Sequence, residues 1–173
     1  MSALLERIQR KDSSILLLFN NNMKCRILDF IMPFITYLGS FTFSVTLCVV
    51  CFFIPLDIAH SLAIKTASSL IISTVAVRSI KITVNRIRPF LTLENLNTKK
   101  IGIDNYSFPS GHTTSAFSIA IIFSLYFPIA TPLLVTLACG VGISRMYFGV
   151  HYPTDVLVGM ILGTICSYTV FLI

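Results

Sequence analysis

A chain of 173 residues has room for one domain, and a composition of 55% hydrophobic and 12% charged residues, with a mean hydropathy of +0.85, excludes an ordinary soluble fold. The net charge of +6, from 13 Lys+Arg against 7 Asp+Glu, is compatible with nucleic acid, anionic headgroups or a phosphorylated substrate. Nucleic acid is the weakest of these partners, because the sequence has no solvated basic tail or nucleic-acid module and its basic residues bracket apolar runs.

In chain order, the segment MSALLERIQRKDSSILLLFNNN places charges ahead of a short apolar core, Ile15 to Phe19, followed by Asn20-Asn21-Asn22. That core is too short for a secretory leader. Residues 1–26 are therefore expected to form an interfacial helix that stays on the protein. Crossing a bilayer takes roughly 20 apolar residues, and five stretches approach that length. They are Ile27 to Ile54, with a bend expected at Gly39-Ser40, then Ile58 to Ile80, Thr113 to Phe127, Ile129 to Tyr147 and Val156 to Ile173. The expected fold is all-α, an integral membrane helical bundle of about five transmembrane helices over 27–173 plus the N-terminal interfacial helix, with 1–173 as a single domain. Lys65 within the second span is expected to snorkel or to be shielded by neighbours. Ala59, Ala63 and Ala67, like Gly159, Gly163 and Ser167, recur every fourth residue and form small faces for close helix contact. Cys25, Cys48, Cys51, Cys139 and Cys166 lack CxxC or His-rich companions and read as small hydrophobes, neither metal ligands nor a disulfide.

Connections are short except for Arg86 to Ser110 and Arg145 to Asp155, and counting spans places both on one side of the membrane. Three clusters border them. In KITVNRIRP, Lys81 and Arg88 are seven residues apart, close to two helical turns, so they should share one helix face as an oxyanion clamp before Pro89 stops the helix. In SFPSGHTTSA, Ser110 should cap a helix whose first amides, from Gly111, His112 and Thr113, point at an anion that Gly111 lets approach closely. In SRMYFGVHYPTD, Arg145 ends one span and Pro153 begins the next, so His151 lies at a bend where Asp155 can orient one ring nitrogen and leave the other free. Cations at span ends are commonly interfacial anchors. Here the three clusters fall on one side and supply three cations, two histidines and a carboxylate, and such groups in a membrane are costly and usually functional.

KITVNRIRP, PSGH and SRMYFGVHYPTD resemble the three signature motifs of the type-2 phosphatidic acid phosphatase superfamily, in order and with the family's internal spacing, over nearly half the chain. Five spans is one fewer than many bacterial members carry. The resemblance implies a lipid phosphatase in which His151 is the nucleophile, His112 protonates the leaving oxygen and Asp155 orients His151. It also implies that Lys81, Arg88, Arg145, Ser110 and the Gly111 amide hold the phosphoryl oxygens. No metal-ligand cluster is visible and no cofactor is expected, since fixed cations can do what magnesium does elsewhere. The expected partner is a lipid phosphate in a bacterial plasma membrane, with undecaprenyl diphosphate favoured over phosphatidylglycerophosphate, phosphatidic acid and a lipid A phosphate. Two other readings compete: a vanadate-dependent haloperoxidase, and a transporter or scaffold with a phosphate-binding vestibule. The family's usual extracytoplasmic site conflicts with Arg7, Arg10, Lys11, Lys24 and Arg26, which share the site's side and favour the cytosol. The outward orientation is expected.

Overall fold

The computed structural model describes residues 3–99 and 104–173, with the side chains of residues 3–5 set aside. Among these residues the regular structure is entirely helical: α1 (Ala3–Asn22), α2 (Arg26–Tyr37), α3 (Phe41–Phe53), α4 (Asp57–Val84), α5 (Pro89–Thr92), α6 (Gly111–Tyr126), α7 (Thr131–Tyr147) and α8 (Pro153–Leu172), with a 3₁₀ turn at Pro128–Ala130. Three stretches, Asp57–Thr92, Pro128–Tyr147 and Pro153–Leu172, are long and apolar enough to cross a membrane. The pair α2 and α3, bent by 53° where the Gly39-Ser40 break was expected, makes a fourth if counted as one span. Helix α6 has 16 residues, a rise of about 24 Å, and so falls short of a hydrocarbon core of about 30 Å.

Helix α6 is nevertheless the centre of the bundle, packed against α4, α7 and α8. Its apolar residues cover every side, so Phe117, Ala120 and Ile122 are all buried. The small-residue face of α8 is what lets α8 approach it: a Cβ added at Gly159 would lie 2.7 Å from the Ser110 carbonyl oxygen. Hydroxyls bind the same helices together. Ser69 and Ser167 pair at 3.0 Å, Ser118 donates to Ser73 at 3.2 Å, and Ser167 donates to the Ser118 carbonyl at 3.0 Å. Lys65 resolves as the shielded alternative, donating from Nζ to the Val170 carbonyl at 3.0 Å in the last turn of α8. The outer surface is studded with exposed Phe30, Phe34, Ile64, Ile71, Leu157 and Ile165, as a lipid-facing surface requires.

Helix α1, expected at a membrane interface, packs against the bundle. Leu16, Asp12 and Asn20 are buried against the bundle. The Asn20 amide donates to the Tyr147 carbonyl at 2.8 Å and accepts from the Asn97 backbone N–H at 2.8 Å. The N-terminal helix is thereby fastened to the end of the bundle that carries both long connections.

One local expectation is corrected. The face shared by Lys81 and Arg88 is not a continuous helix, because α4 ends at Val84 and Asn85 turns left-handed with φ of 51°, a conformation asparagine tolerates. Arg88 precedes Pro89, whose ring disfavours a helical neighbour, and adopts φ −73°, ψ 148°. Arg88 therefore reaches its partners from extended backbone.

Candidate active site

The site is built where α4, α6, α7 and α8 end. Ser110 caps α6 as expected, its Oγ accepting from the Thr113 N–H at 3.5 Å and the Thr113 hydroxyl at 2.9 Å. Its own N–H donates to the Asp155 carbonyl at 3.0 Å, which ties α6 to α8. This cap takes the Thr113 amide that was expected to face an anion. Beside it Gly111 stays open, since a Cβ there would meet only Val77 Cγ1, at 4.0 Å.

Lys81 and Arg88 converge despite the broken helix. The Lys81 Nζ donates to Asp104 Oδ1 at 2.9 Å and the Tyr106 carbonyl at 2.7 Å. Arg88 donates from Nη2 to the same Oδ1 at 2.6 Å and from Nε to the Asp104 carbonyl at 2.8 Å. Half-burial works to raise the Asp104 carboxyl, but the hydrogen bond and charge of Lys81, then of Arg88, outweigh it and hold the group below its ordinary value. Arg145, fully buried, donates from Nη1 to Thr36 Oγ1 of α2 at 2.9 Å.

His151 is 2% exposed. Arg88 Nη1 lies 3.3 Å from its Nε2, and because a guanidinium can only donate, Nε2 must be the lone-pair nitrogen in this contact. The proton then belongs on Nδ1, which faces Asp155 Oδ2 at 3.5 Å. That separation is an electrostatic pairing longer than a formed hydrogen bond, in keeping with the absence of a hydrogen-bond partner for Nδ1 among the described residues. Burial above all, then the charges of Arg145, Arg88 and Lys81, push the imidazole well below its ordinary value and favour its uncharged form. His112 lies within electrostatic reach of Arg145, His151 and Arg88, and with Lys81, Asp104 and Gly111 it closes one end of a cleft of about 630 Å³ between α3, α4 and α6. The rest of that cleft is mostly apolar, with Val45, Val49, Leu70 and Ile71 among its walls.

The motifs thus gather in space: Lys81, Arg88, His112, Arg145, His151 and Asp155 form one cluster, with the Ser110 hydroxyl oxygen taken up by its cap. The profile of the PAP2 superfamily matches residues 62–173, more than half of the chain. The chain belongs to the PAP2 superfamily.

Among PAP2-type relatives, the bacitracin transport permease protein BcrC of Bacillus licheniformis is 46% identical over 85 residues, 49% of this chain and 41% of that protein. The Escherichia coli protein YbjG, provisionally named an undecaprenyl-diphosphatase, is 38% identical over 79 residues, 45% of this chain and 39% of its own. The matched stretches thus span under half the length of these relatives. A crystal structure of Aquifex aeolicus LpxE superposes with a TM-score of 0.83 at 30% identity, covering 92% of this chain and 94% of that one. The fold and the membrane-spanning helices are those of a PAP2 protein.

Reading motifs alone missed four residues of this PAP2 site. Asp104, in the long connection, bridges Lys81 and Arg88. Arg86, inside the first motif, donates to Asp155 Oδ1, Asp12 Oδ2 and Gln9 Oε1, each at 2.6 Å, and to Thr154 Oγ1 at 2.7 Å. Asp12 comes from α1 and also accepts from the Thr154 N–H at 3.1 Å; Thr36 comes from α2. The one available signal was the spare cation Arg86, two residues before Arg88 in NRIRP.

Proposed function

We propose that this PAP2 protein is a single-domain, five-span lipid phosphatase, with α6 as the fifth and shortest span, acting by a phosphohistidine route without a metal. The observation that carries the reading is the placement of His151: buried, with Nε2 beside a cation cluster and Nδ1 towards Asp155. Nε2 attacks phosphorus and the bond from phosphorus to the leaving oxygen breaks, with that oxygen taking a proton from His112. Water then attacks phosphorus, giving a proton to His112 as the bond from phosphorus to Nε2 of His151 breaks, and inorganic phosphate is released. Asp155 balances the positive charge that His151 acquires, while Lys81, Arg88, Arg145, Ser110 and the Gly111 amide hold the phosphoryl oxygens, which is most of what phosphoryl transfer needs from a protein.

The apolar cleft ending at His112 suits a substrate whose headgroup sits at the span ends while its chain stays among the helices. Undecaprenyl diphosphate is the favoured substrate, in line with the name YbjG bears. Phosphatidylglycerophosphate, phosphatidic acid and a lipid A phosphate are the other members of the test panel. The setting is a bacterial plasma membrane with the site facing outward. The permease name of the BcrC relative points to a non-enzymatic alternative, which expects no phosphate release at all. Purified protein in detergent is expected to release phosphate from at least one panel lipid, and to keep doing so in excess EDTA. Loss restored by magnesium would contradict the metal-free mechanism.

Asp104 makes a second measurable claim. Its Oδ1 uses N–H groups of Lys81 and Arg88 that the phosphoryl oxygens require, so bound phosphate and this carboxylate compete. The Asp104 side chain is 60% exposed and such pairs are weak. Asp104→Asn is expected to bind orthophosphate about two- to five-fold more tightly, within the range of an exposed ion pair. Weaker binding in an inhibition assay would refute the competition.

A further inference from the structure

One cation in the cleft has no place in the mechanism above. Arg78 lies three residues before Lys81 on α4, hence on the same helix face and about 4.5 Å further along the axis from the end that carries His151. Arg78, Lys81, Gly111 and His112 all line the one cleft. Beyond Arg78 the α4 wall continues through Val75 and Thr74 to Ile71 and Leu70, which are mostly apolar. Arg78 is exposed, and among the described residues it has neither an ion pair nor a hydrogen bond. The order along the wall is therefore reacting end, then a single unpaired cation, then apolar surface. Membrane-embedded arginines are costly, and those that face a cavity mark the path of an anionic ligand.

We infer that Arg78 binds a second phosphate, the one between the scissile phosphate and the lipid chain, so that the site is built for a lipid diphosphate. This rests on the phosphatase reading of the same site and narrows its substrate class. In a diphosphate the neighbouring phosphorus atoms are closer together than one helical turn, so a terminal phosphate at Lys81 places the inner one alongside Arg78. Attack by His151 breaks the bond between the terminal phosphorus and the bridging oxygen. That oxygen leaves on the lipid monophosphate with the proton from His112, and Arg78 neutralises the leaving phosphate. A monophosphate brings nothing for Arg78 to hold.

The test compares an isoprenyl diphosphate with the monophosphate of the same chain, both in detergent, for wild type, Arg78→Gln and Arg78→Lys. Arg78→Gln is expected to lower kcat/KM on the diphosphate by about 10- to 100-fold, the range for a lost charge-assisted hydrogen bond. On the monophosphate it should change by less than about threefold, which also shows that the variant is folded. Arg78→Lys should recover part of the loss. An equal fall on both substrates, or no fall on either, overturns the assignment and leaves Arg78 as an interfacial anchor. Wild type that cleaves only the monophosphate overturns it too, while the phosphatase reading stands; wild type that cleaves neither, nor any panel lipid, removes both.

Discussion

Phosphate release by His151→Ala is expected to fall by at least about 10³-fold, because the proposed phosphohistidine route makes this residue the covalent nucleophile and its removal leaves only binding and charge stabilisation. His151→Asn, closer in shape, should fall as far, which separates lost chemistry from a collapsed pocket. Both variants should still bind orthophosphate, since Lys81, Arg88 and Arg145 remain. The wild type should also show a trapped phosphoenzyme signal that is lost in acid and survives in alkali, as a phosphohistidine does, and neither variant should show it. The pH profile follows from the same group. Burial and three cations depress its proton affinity, so it stays unprotonated, and able to attack, below the pH at which an ordinary histidine is half charged. The acid limb of kcat/KM that belongs to this residue should accordingly lie below pH 6.5. Turnover by His151→Ala comparable to wild type would end the assignment.

Arg86→Gln is expected to be the most destabilising single change at this end of the molecule. Its guanidinium holds two carboxylates that are nearly inaccessible, Asp12 at 2% and Asp155 at 0% exposure, and stacks over the Tyr152 ring at 4.0 Å. Removing one partner from a buried charge cluster costs about 3–5 kcal/mol, because the remaining charges are left uncompensated. Lysine would not rescue it fully, since one ammonium cannot serve both carboxylates in the forked geometry. Thermal unfolding in detergent should show a clear drop in Tm for Arg86→Gln. Adding Asp12→Asn should cost less than the sum of the two single changes, as groups in one network do. A midpoint within a degree of wild type, or strict additivity, would show that the web contributes little.

What could be read in advance was whatever depends on near neighbours in the chain. Ser110 as a cap, Pro153 at the first turn of α8, the break at Gly39-Ser40 and the close-packing face at Gly159 each follow from a few adjacent residues. The gathering of Lys81, His112, Arg145 and His151 was also legible, because three motifs on one side of a bundle leave little other choice. The rest depended on partners distant in sequence. Nothing local says that Asp104 will turn back onto Lys81 and Arg88, or that a carboxylate at position 12 will meet a guanidinium at position 86. The end of α4 at Asn85 was hidden by the near-helical spacing of Lys81 and Arg88. The shortness of α6, Gly111–Tyr126, was already legible in the stretch Thr113 to Phe127; its central place in the bundle was not, because an apolar composition suits a lipid-facing span as well.

The docking of α1 gives the molecule a compass. Asp12 bonds Arg86 and Thr154, so the N-terminal helix, with Arg7, Arg10 and Lys11 on it, shares an end of the bundle with His151. A reporter fused ahead of Ala3, or a thiol label placed there and probed in intact cells, would thus give the compartment that the cluster around His151 faces.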